Sequence, residues 1–493
     1  MNRKLITKIT ASIASLALFA GGITAPAGSI LSKLAPEISI SAYAWETDQK
    51  FIDSTNTFYV QLDTSYVKNG VSTAAKAQIV DVVSSKINKN SIFTIPDKVT
   101  VSGKDLNGKN FTVTVPVTAI GTSAFYNEKN LTAVKIPYSV DSIGNDAFRD
   151  SGLSSLTIPA SIKVIADGAF DNCDALYNVN FNCEKLNITA FTNCDNFKYI
   201  NNTPIINHNP KTGQPILNSH IERQVNQISS TYRDVKKCPV IQQYVKEYIN
   251  YIVKANTNTS DSDVLKAKKL HDWLIAHTEY DHEAAENFKP FQVVREDWSP
   301  FLYKKSDGKY YAVCAGYAYA YKLLLEAAGI ECYFVIGESS VGERLGHAWN
   351  IVKIAGNNYH VDTTWDDSNS DKYKYFMRSD AIINNDHNYN WSVNINGITK
   401  TRNTGVTNYD LYNLGDVNCD GKVTINDYNM VLNYTLDAQN LSSEQKMRAD
   451  ANLDGKISMS DALCIRSAIA KINNTGYKKS VFEFIYIDRK MDL

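Results

Sequence analysis

The dipeptide Ala-Phe recurs at Ala124-Phe125, Ala147-Phe148, Ala169-Phe170 and Ala190-Phe191, so the phenylalanines stand 23, 22 and 21 residues apart. No other feature restricts the fold so strongly. An Ile-bearing step precedes each pair (Ile120-Gly121, Ile143-Gly144, Ile165-Ala166, Ile188), and a short apolar run follows: Leu131 to Ile136, Leu153 to Ile158, Leu176 to Phe181, Phe197 to Ile200. One strand per period near 22 predicts a solenoid beginning near Phe93, in which each rung buries its apolar residues only against its neighbours. Cys173 and Cys194 both lie three residues after the repeat phenylalanine, where the other rungs carry Glu128 and Ser151. They are expected to be stacked rung residues and not a disulfide. Upstream, Phe58-Tyr59-Val60-Gln61-Leu62 reads as a strand and Ala74 to Lys86 as a short helix.

At 493 residues the chain exceeds a single hydrophobic core, so two to four domains are expected. Lys plus Arg number 51 against 52 for Asp plus Glu, which argues against a nucleic-acid or anionic-membrane partner. Met1 to Ala44 reads as an export leader: Arg3, Lys4 and Lys8 supply the charged start, and Ile9 to Ile23 the apolar stretch. That stretch is shorter than the roughly 20 residues that span a bilayer. Of two small-x-small sites, Ala25-Pro26-Ala27 and Ala42-Tyr43-Ala44, the second is preferred for cleavage, which makes the mature protein extracellular. Eight cysteines in an exported chain of this size do not form a disulfide framework. From 201 to 237, Pro204, Pro210 and Pro215 break regularity and mark a linker.

Chemistry concentrates further on. Cys314 opens a helix predicted to run to Ala328 and to stop at Gly329. Unpaired N–H groups and the dipole at a helix start favour a thiolate. Two strand-like runs follow, Gly346 to Val352 with His347 and Tyr359 to Trp365 with Asp362. Nucleophile, base and orienting carboxylate in this order form a thiol triad: Cys314 attacks, His347 takes and returns the proton, Asp362 holds the imidazole. His360 is a rival base, but strand alternation makes it a neighbour of Asp362 and not its facing partner. The plain alternative is a buried cysteine beside ordinary sheet residues.

Cys-Ala-Gly-Tyr-Ala, Gly-His-Ala-Trp-Asn and Val-Asp-Thr-Thr-Trp-Asp resemble the three blocks of the bacterial transglutaminase-like superfamily. The preceding helix, Asp263 to Thr278, and Tyr280-Asp281 resemble it too, over about Val235 to Trp391. The resemblance implies a papain-like α+β core and carries the roles of Cys, His and Asp to Cys314, His347 and Asp362, with no cofactor for catalysis. Ala312 departs from the pattern, since many members have glycine two residues before the cysteine. The upstream array resembles the leucine-rich repeats of BspA-type bacterial surface proteins.

A third module begins at Gly415. Asp416 to Asp427 and Asp450 to Asp461 are the same twelve-residue loop, 34 residues apart. Oxygen side chains stand at positions 1, 3, 5, 9 and 12 (Asp416, Asn418, Asp420, Thr424, Asp427; Asp450, Asn452, Asp454, Ser458, Asp461), with glycine at 6 and the Lys422 or Lys456 carbonyl at 7. Ca²⁺ takes six to eight hard oxygen ligands, so two bound Ca²⁺ ions are expected. Each loop leads into a helix. Duplicated loop-helix units ending in Asp, from about Gly415 to Ala470, resemble a type I-like dockerin, which implies docking to a cohesin on a cellulosome scaffold. The tail from Asn473, with Val481 to Ile487, suggests at most a strand.

The expected architecture is therefore multidomain: leader 1–44, N-terminal segment and β-rich leucine-rich-repeat solenoid 45–200 (repeats from about 93), linker 201–237, α+β transglutaminase-like domain 238–405, small all-α dockerin 415–472 and tail 473–493. The leading function is a secreted, cellulosome-associated thiol enzyme acting on protein or peptide amides. Peptide hydrolysis and Gln–Lys crosslinking share the acyl-enzyme and differ in whether water or an amine accepts the acyl group; both stay open here. The alternative is an adhesion protein whose repeats hold a ligand beside an inactive thiol fold. A polysaccharide hydrolase would need a carboxylate pair, and none is evident.

Overall fold

The computed structural model describes residues 49–62, 76–89, 91–104, 108–183, 187–227, 236–286, 298–339, 345–387, 390–407, 409–475 and 480–488. The export leader and its cleavage sites lie outside them. Among the described residues no helix is long and apolar enough to cross a membrane.

The repeats build two parallel ladders. One runs through Ile92–Thr94, Ala133–Lys135, Ser155–Ile158, Asn178–Phe181 and Tyr199–Ile200. The other joins Ala77–Val82, the end of Asn110–Ile120, Ser142–Ile143 and Val164–Ile165. Between them Phe125, Phe148, Phe170 and Phe191 stack face to face, with centroids 4.9, 5.3 and 5.1 Å apart and planes within 8°. Phe93 closes the stack edge-on at 6.0 Å. The backbone keeps the same period: Phe125 N donates to Ala147 O, Phe148 N to Ala169 O and Phe170 N to Ala190 O, at 2.7 to 2.8 Å. Two residues after each ring the chain turns through positive φ, at Asn127, Asp150, Asn172 and Asn193. Asn and Asp tolerate that left-handed conformation better than other non-glycine residues.

Cys173 and Cys194 are buried and free, each donating its thiol to the carbonyl of the phenylalanine one rung back (Phe148 and Phe170, both 3.1 Å). The helix expected over Ala74 to Lys86 does not form where it is described. Ala77–Val82 is a strand pairing with Phe58–Leu62, and only Ser84–Lys86 makes a single 3₁₀ turn. Ala77, Ile79 and Val82 are the strand's buried residues; pairing on both edges outweighs local helix propensity. The long hairpin Lys98–Lys104/Asn110–Ile120 separates the first rung from the second. The stretch expected as a linker holds a hairpin, Ile206–His208 with Pro215–Leu217, and a helix, Ser219–Gln227. The array meets the following unit where Cys238 donates to Ile188 O at 3.3 Å.

Helices Pro239–Asn256, Asp263–His277 and Cys314–Ala327 then accompany a six-stranded antiparallel sheet. Its order is Phe376–Arg378, Asn357–Val361, Leu345–Ile354, Cys332–Ser339, Trp391–Ile395, Ile398–Thr401. Helix Cys314–Ala327 stops before Gly329, which has φ +82°. The run Tyr359 to Trp365, expected as one strand, is divided: the strand ends at Val361, and Asp362 caps helix Thr363–Ser368 through bonds from Thr364 N and Trp365 N. The N-cap preference of Asp overrides β propensity there.

Helices Ile425–Thr435, Ser443–Ala449 and Met459–Thr475 follow. Where it is described, the segment Val481 to Ile487 is helical and not a strand. Ser480 and Glu483 cap each other, and a π-turn spans Glu483–Ile487. Val481, Phe482, Phe484, Ile485 and Tyr486 are buried, which favours one compact apolar turn over an extended edge. Phe482 lies 5.0 Å from Tyr412 and 6.4 Å from Phe376 of the sheet, and Val481 packs on Gly415. Tyr486 donates to Ala451 O at 3.4 Å.

Since Phe148 is sandwiched between two rings, Phe148→Ala should lower the stability of the repeat unit by about 3–5 kcal/mol. Denaturant unfolding measures it, and a loss under about 1 kcal/mol would contradict the stacked packing.

Candidate active site and paired acidic loops

Three elements bring the sequence-predicted triad residues together. Cys314 is the first residue of its helix, half-buried, with Val313 as N-cap. His347 stands on Leu345–Ile354, and Asp362 follows Asn357–Val361, which pairs with it in the register Asn350 opposite Val361. His347 Nε2 donates to Asp362 Oδ2 at 2.6 Å. Its other nitrogen is left for Cys314, whose thiol interacts with the imidazole. Burial pushes the thiol up, but the hydrogen bond and charge of His347 and the Ala348 N–H outweigh it, so Cys314 lies below the ordinary thiol range. Burial likewise disfavours the His347 cation, yet the Asp362 charge and hydrogen bond overcome this and raise His347 to about 10. Asp362, despite full burial, is held well below the usual carboxylate range by the two imidazoles that contact it. The arrangement favours a thiolate–imidazolium pair at the start of a helix.

The second imidazole is His387, which the sequence reading did not single out. Its Nε2 lies 2.9 Å from the same Asp362 Oδ2, and both groups are fully buried. No motif surrounds His387, and only the tertiary fold brings it to Asp362. Both Nε2 atoms sit at hydrogen-bond distance from the carboxylate. His360 is not a base for Cys314. It is fully buried, accepts from Trp349 Nε1 at 3.0 Å and donates to Asp380 Oδ1 at 2.7 Å. Trp349 is a wall of the core, while Trp365 stacks on His347 at 4.9 Å. Ala312 is buried, and its carbonyl accepts from Asp281 N at 3.0 Å.

The two acidic loops fold alike. Asp416 Oδ1 accepts from Asp420 N, and Asp450 Oδ1 from Asp454 N. Asp427 accepts from the backbone of Asn418 and Thr424, and Asp461 from Asn452 and Ser458. Gly421 and Gly455 turn with φ +82° and +83°. Burial and the neighbouring Asp461 and Asp454 charges push Asp450 up to about 6. The first loop differs: Arg448 donates to Asp416 Oδ2 at 2.7 Å.

Comparisons with known proteins agree with this order of units. A family model described as a BspA type leucine rich repeat region matches 102–209 in six copies, two more than the Ala-Phe signature marks. A transglutaminase-like superfamily model matches 229–364, and a dockerin type I domain model matches 414–470. The mouse (Mus musculus) kyphoscoliosis peptidase is 28% identical over 176 residues, 30% of this chain and 25% of its own length. The chain thus spans about a quarter of that curated relative. Among solved structures, a candidate cysteine protease from Cytophaga hutchinsonii is 16% identical over 24% of this chain and 37% of its own (TM-score 0.19). A leucine-rich repeat protein from Bacteroides capillosus ATCC 29799 is 24% identical over 29% of this chain and 94% of its own (TM-score 0.19). The chain carries a BspA-type repeat region, a transglutaminase-like core and a type I dockerin, in that order.

The ion pair sets a pH window for stability. His347 is raised above its free value of about 6.5, so its contribution is complete below that pH and is lost as pH rises through about 10. Asp362 is depressed, so its share is present above about 3.9 and is lost on acidification. The melting-temperature difference between wild type and Asp362→Asn should be largest between those limits and shrink on both sides. A difference that stays flat across the range would contradict the pair.

Proposed function

We propose that the chain is a secreted, cellulosome-associated thiol enzyme acting on protein amide bonds, with Cys314, His347 and Asp362 as its triad. The observation that carries this reading is the convergence of three side chains, with His347 Nε2 donating to the buried Asp362 at 2.6 Å and the Cys314 thiol lowered by His347 on its other side. The Cys314 thiolate attacks the amide carbon, forming the S–C bond as the carbonyl electron pair moves to oxygen. When the tetrahedral adduct collapses, the C–N bond breaks and His347 gives its proton to the departing nitrogen. Water or a lysine amine then takes the acyl group from sulfur and His347 removes its proton, giving hydrolysis or crosslinking.

In the same reading the stacked rungs form a right-handed solenoid within 45–200, the thiol domain spans 238–405 and the dockerin 415–472. The dockerin takes two Ca²⁺ ions through Asp416, Asn418, Asp420, the Lys422 carbonyl, Thr424 and Asp427, and through Asp450, Asn452, Asp454, the Lys456 carbonyl, Ser458 and Asp461. Ca²⁺ fits because Asp427 and Asp461 are fully buried carboxylates that a divalent ion would neutralise. Ile425 and Met459, at position 10 of the two loops, are 53% and 45% exposed and would meet the cohesin.

Cys314→Ala should abolish turnover of a casein or glutamine-donor substrate and leave the circular dichroism unchanged. Asp362→Asn should lower kcat by orders of magnitude without abolishing thiol alkylation. Full activity of Cys314→Ala would refute the thiol mechanism. Calorimetry on the full chain should find two Ca²⁺ sites, the first weaker because binding there must displace Arg448 from Asp416. Asp416→Ala with Asp450→Ala should abolish both Ca²⁺ uptake and cohesin binding; no uptake by the wild type would refute the calcium reading.

A further inference from the structure

Asp362 accepts at all four of its acceptor positions. Oδ1 takes Thr364 N (3.0 Å) and Trp365 N (3.1 Å); Oδ2 takes His347 Nε2 (2.6 Å) and His387 Nε2 (2.9 Å). The backbone pair is explained by helix capping and His347 by the triad. His387 is explained by neither. It follows helix Asp380–Asp386 as its C-cap, with its N–H donated to Ile383 O at 2.8 Å. Its ring is boxed by Trp365 (4.2 Å), Trp349 (4.6 Å) and Tyr375 (5.5 Å), an enclosure that leaves the imidazole one orientation.

The protonation state follows from the partners. An ionised carboxylate only accepts, so both Nε2 atoms must carry hydrogen. His387 Nδ1 is buried and meets no hydrogen-bond partner among the described residues. A proton there would be a charged donor with nothing to receive it, so His387 is the neutral Nε2–H tautomer. The ionisable groups around it are Asp362, His347 and His360 in the core and Asp386 beside it, the last taken up by Tyr375 and Lys374. Burial and the His347 charge hold His387 below its ordinary range against the pull of Asp362 and Asp386.

We propose that His387 is a positioning residue of the triad: its fixed neutral N–H takes a share of the Asp362 charge and so limits how tightly Asp362 holds the His347 proton. This rests on the thiol-enzyme reading above. Its chemical purpose lies in the second half of the acylation step. His347 must give its proton to the departing nitrogen, and an imidazolium gripped by a carboxylate with no other side-chain donor is a poorer acid. The second donor weakens that grip without adding charge and keeps Oδ2 aimed at His347. Losing the donor should therefore make the His347 proton persist to higher pH.

The test is the pH profile of Cys314 alkylation by iodoacetate, read by peptide mass spectrometry on the full chain. In this reaction the thiolate forms the S–C bond as C–I breaks and iodide leaves. The reagent's own carboxylate makes the rate fall as the His347 cation is lost, so the alkaline limb reports His347. His387→Phe should move that limb upward by about half a pH unit or more, and His387→Gln, which keeps an N–H donor within reach, should restore it. An unmoved limb in His387→Phe, or an equal shift in His387→Gln, would overturn the proposal. Selective ¹⁵N-histidine NMR of the wild type needs no variant: the His387 ring should show bare Nδ1 and protonated Nε2 at neutral pH, and the opposite tautomer or a cation would overturn it. If wild-type Cys314 instead alkylates with a single rise at about pH 8.5, as a free thiol does, the thiol-enzyme reading itself fails and the role of His387 falls with it.

Discussion

The architecture of the thiol domain converges on one buried carboxylate. Asp362 is enclosed where a strand becomes a helix, and an isolated charge there would be strongly unfavourable. It survives because the first turn of the helix presents two backbone donors to one oxygen while two imidazoles meet the other. Each of those imidazoles is placed by a different element, so the sheet, the short helix and the segment after Asp386 must all be in register before the charge is satisfied. A one-residue slip between Leu345–Ile354 and Asn357–Val361 would turn His347 to the opposite face and leave Asp362 unpaired. The site and the sheet register are thus the same constraint.

Histidine–aspartate pairing is also how the rest of this core accommodates polarity. His271 contacts Asp366, and His360 contacts Asp380, with all of these side chains wholly or largely buried. Asp380 in turn accepts from Val406 N and Thr407 N, and Asp366 from Tyr375 N, so each carboxylate ties a loop or strand to the interior. His360 differs from His347 in having both nitrogens engaged away from the thiol, so two histidines on adjacent strands have separate partners.

Much of this was legible in the chain. The Ala-Phe period gave the rungs because one ring per rung must meet the next, and the three thiol blocks were compact enough in sequence to single out Cys314, His347 and Asp362, which the fold then brings together. Legibility stopped where partners are distant. His387 lies 25 residues from Asp362 with no motif around it, so its contact exists only in three dimensions. Ala77–Val82 looked helical because its two pairing strands are not its neighbours in one local window. Tyr359 to Trp365 read as one strand because its apolar pattern hid a capping aspartate. Val481 to Ile487 read as a strand on β-branched content, whereas its packing partners, Phe376, Tyr412 and Gly415, decide its conformation.

That last segment alters what kind of anchor the C-terminal unit is. A module hung on a flexible tether lets its enzyme sweep a volume set by linker length. Here Phe482 sits against Tyr412 and Phe376 while Tyr486 reaches the carbonyl of Ala451 inside the second acidic loop, so one short turn shares its side chains between loop and sheet. The bearing of the thiol relative to the loop helices is therefore set by side-chain packing. On any surface that grips those helices, this protein would present Cys314 at a constant angle, like a tool fixed in a socket.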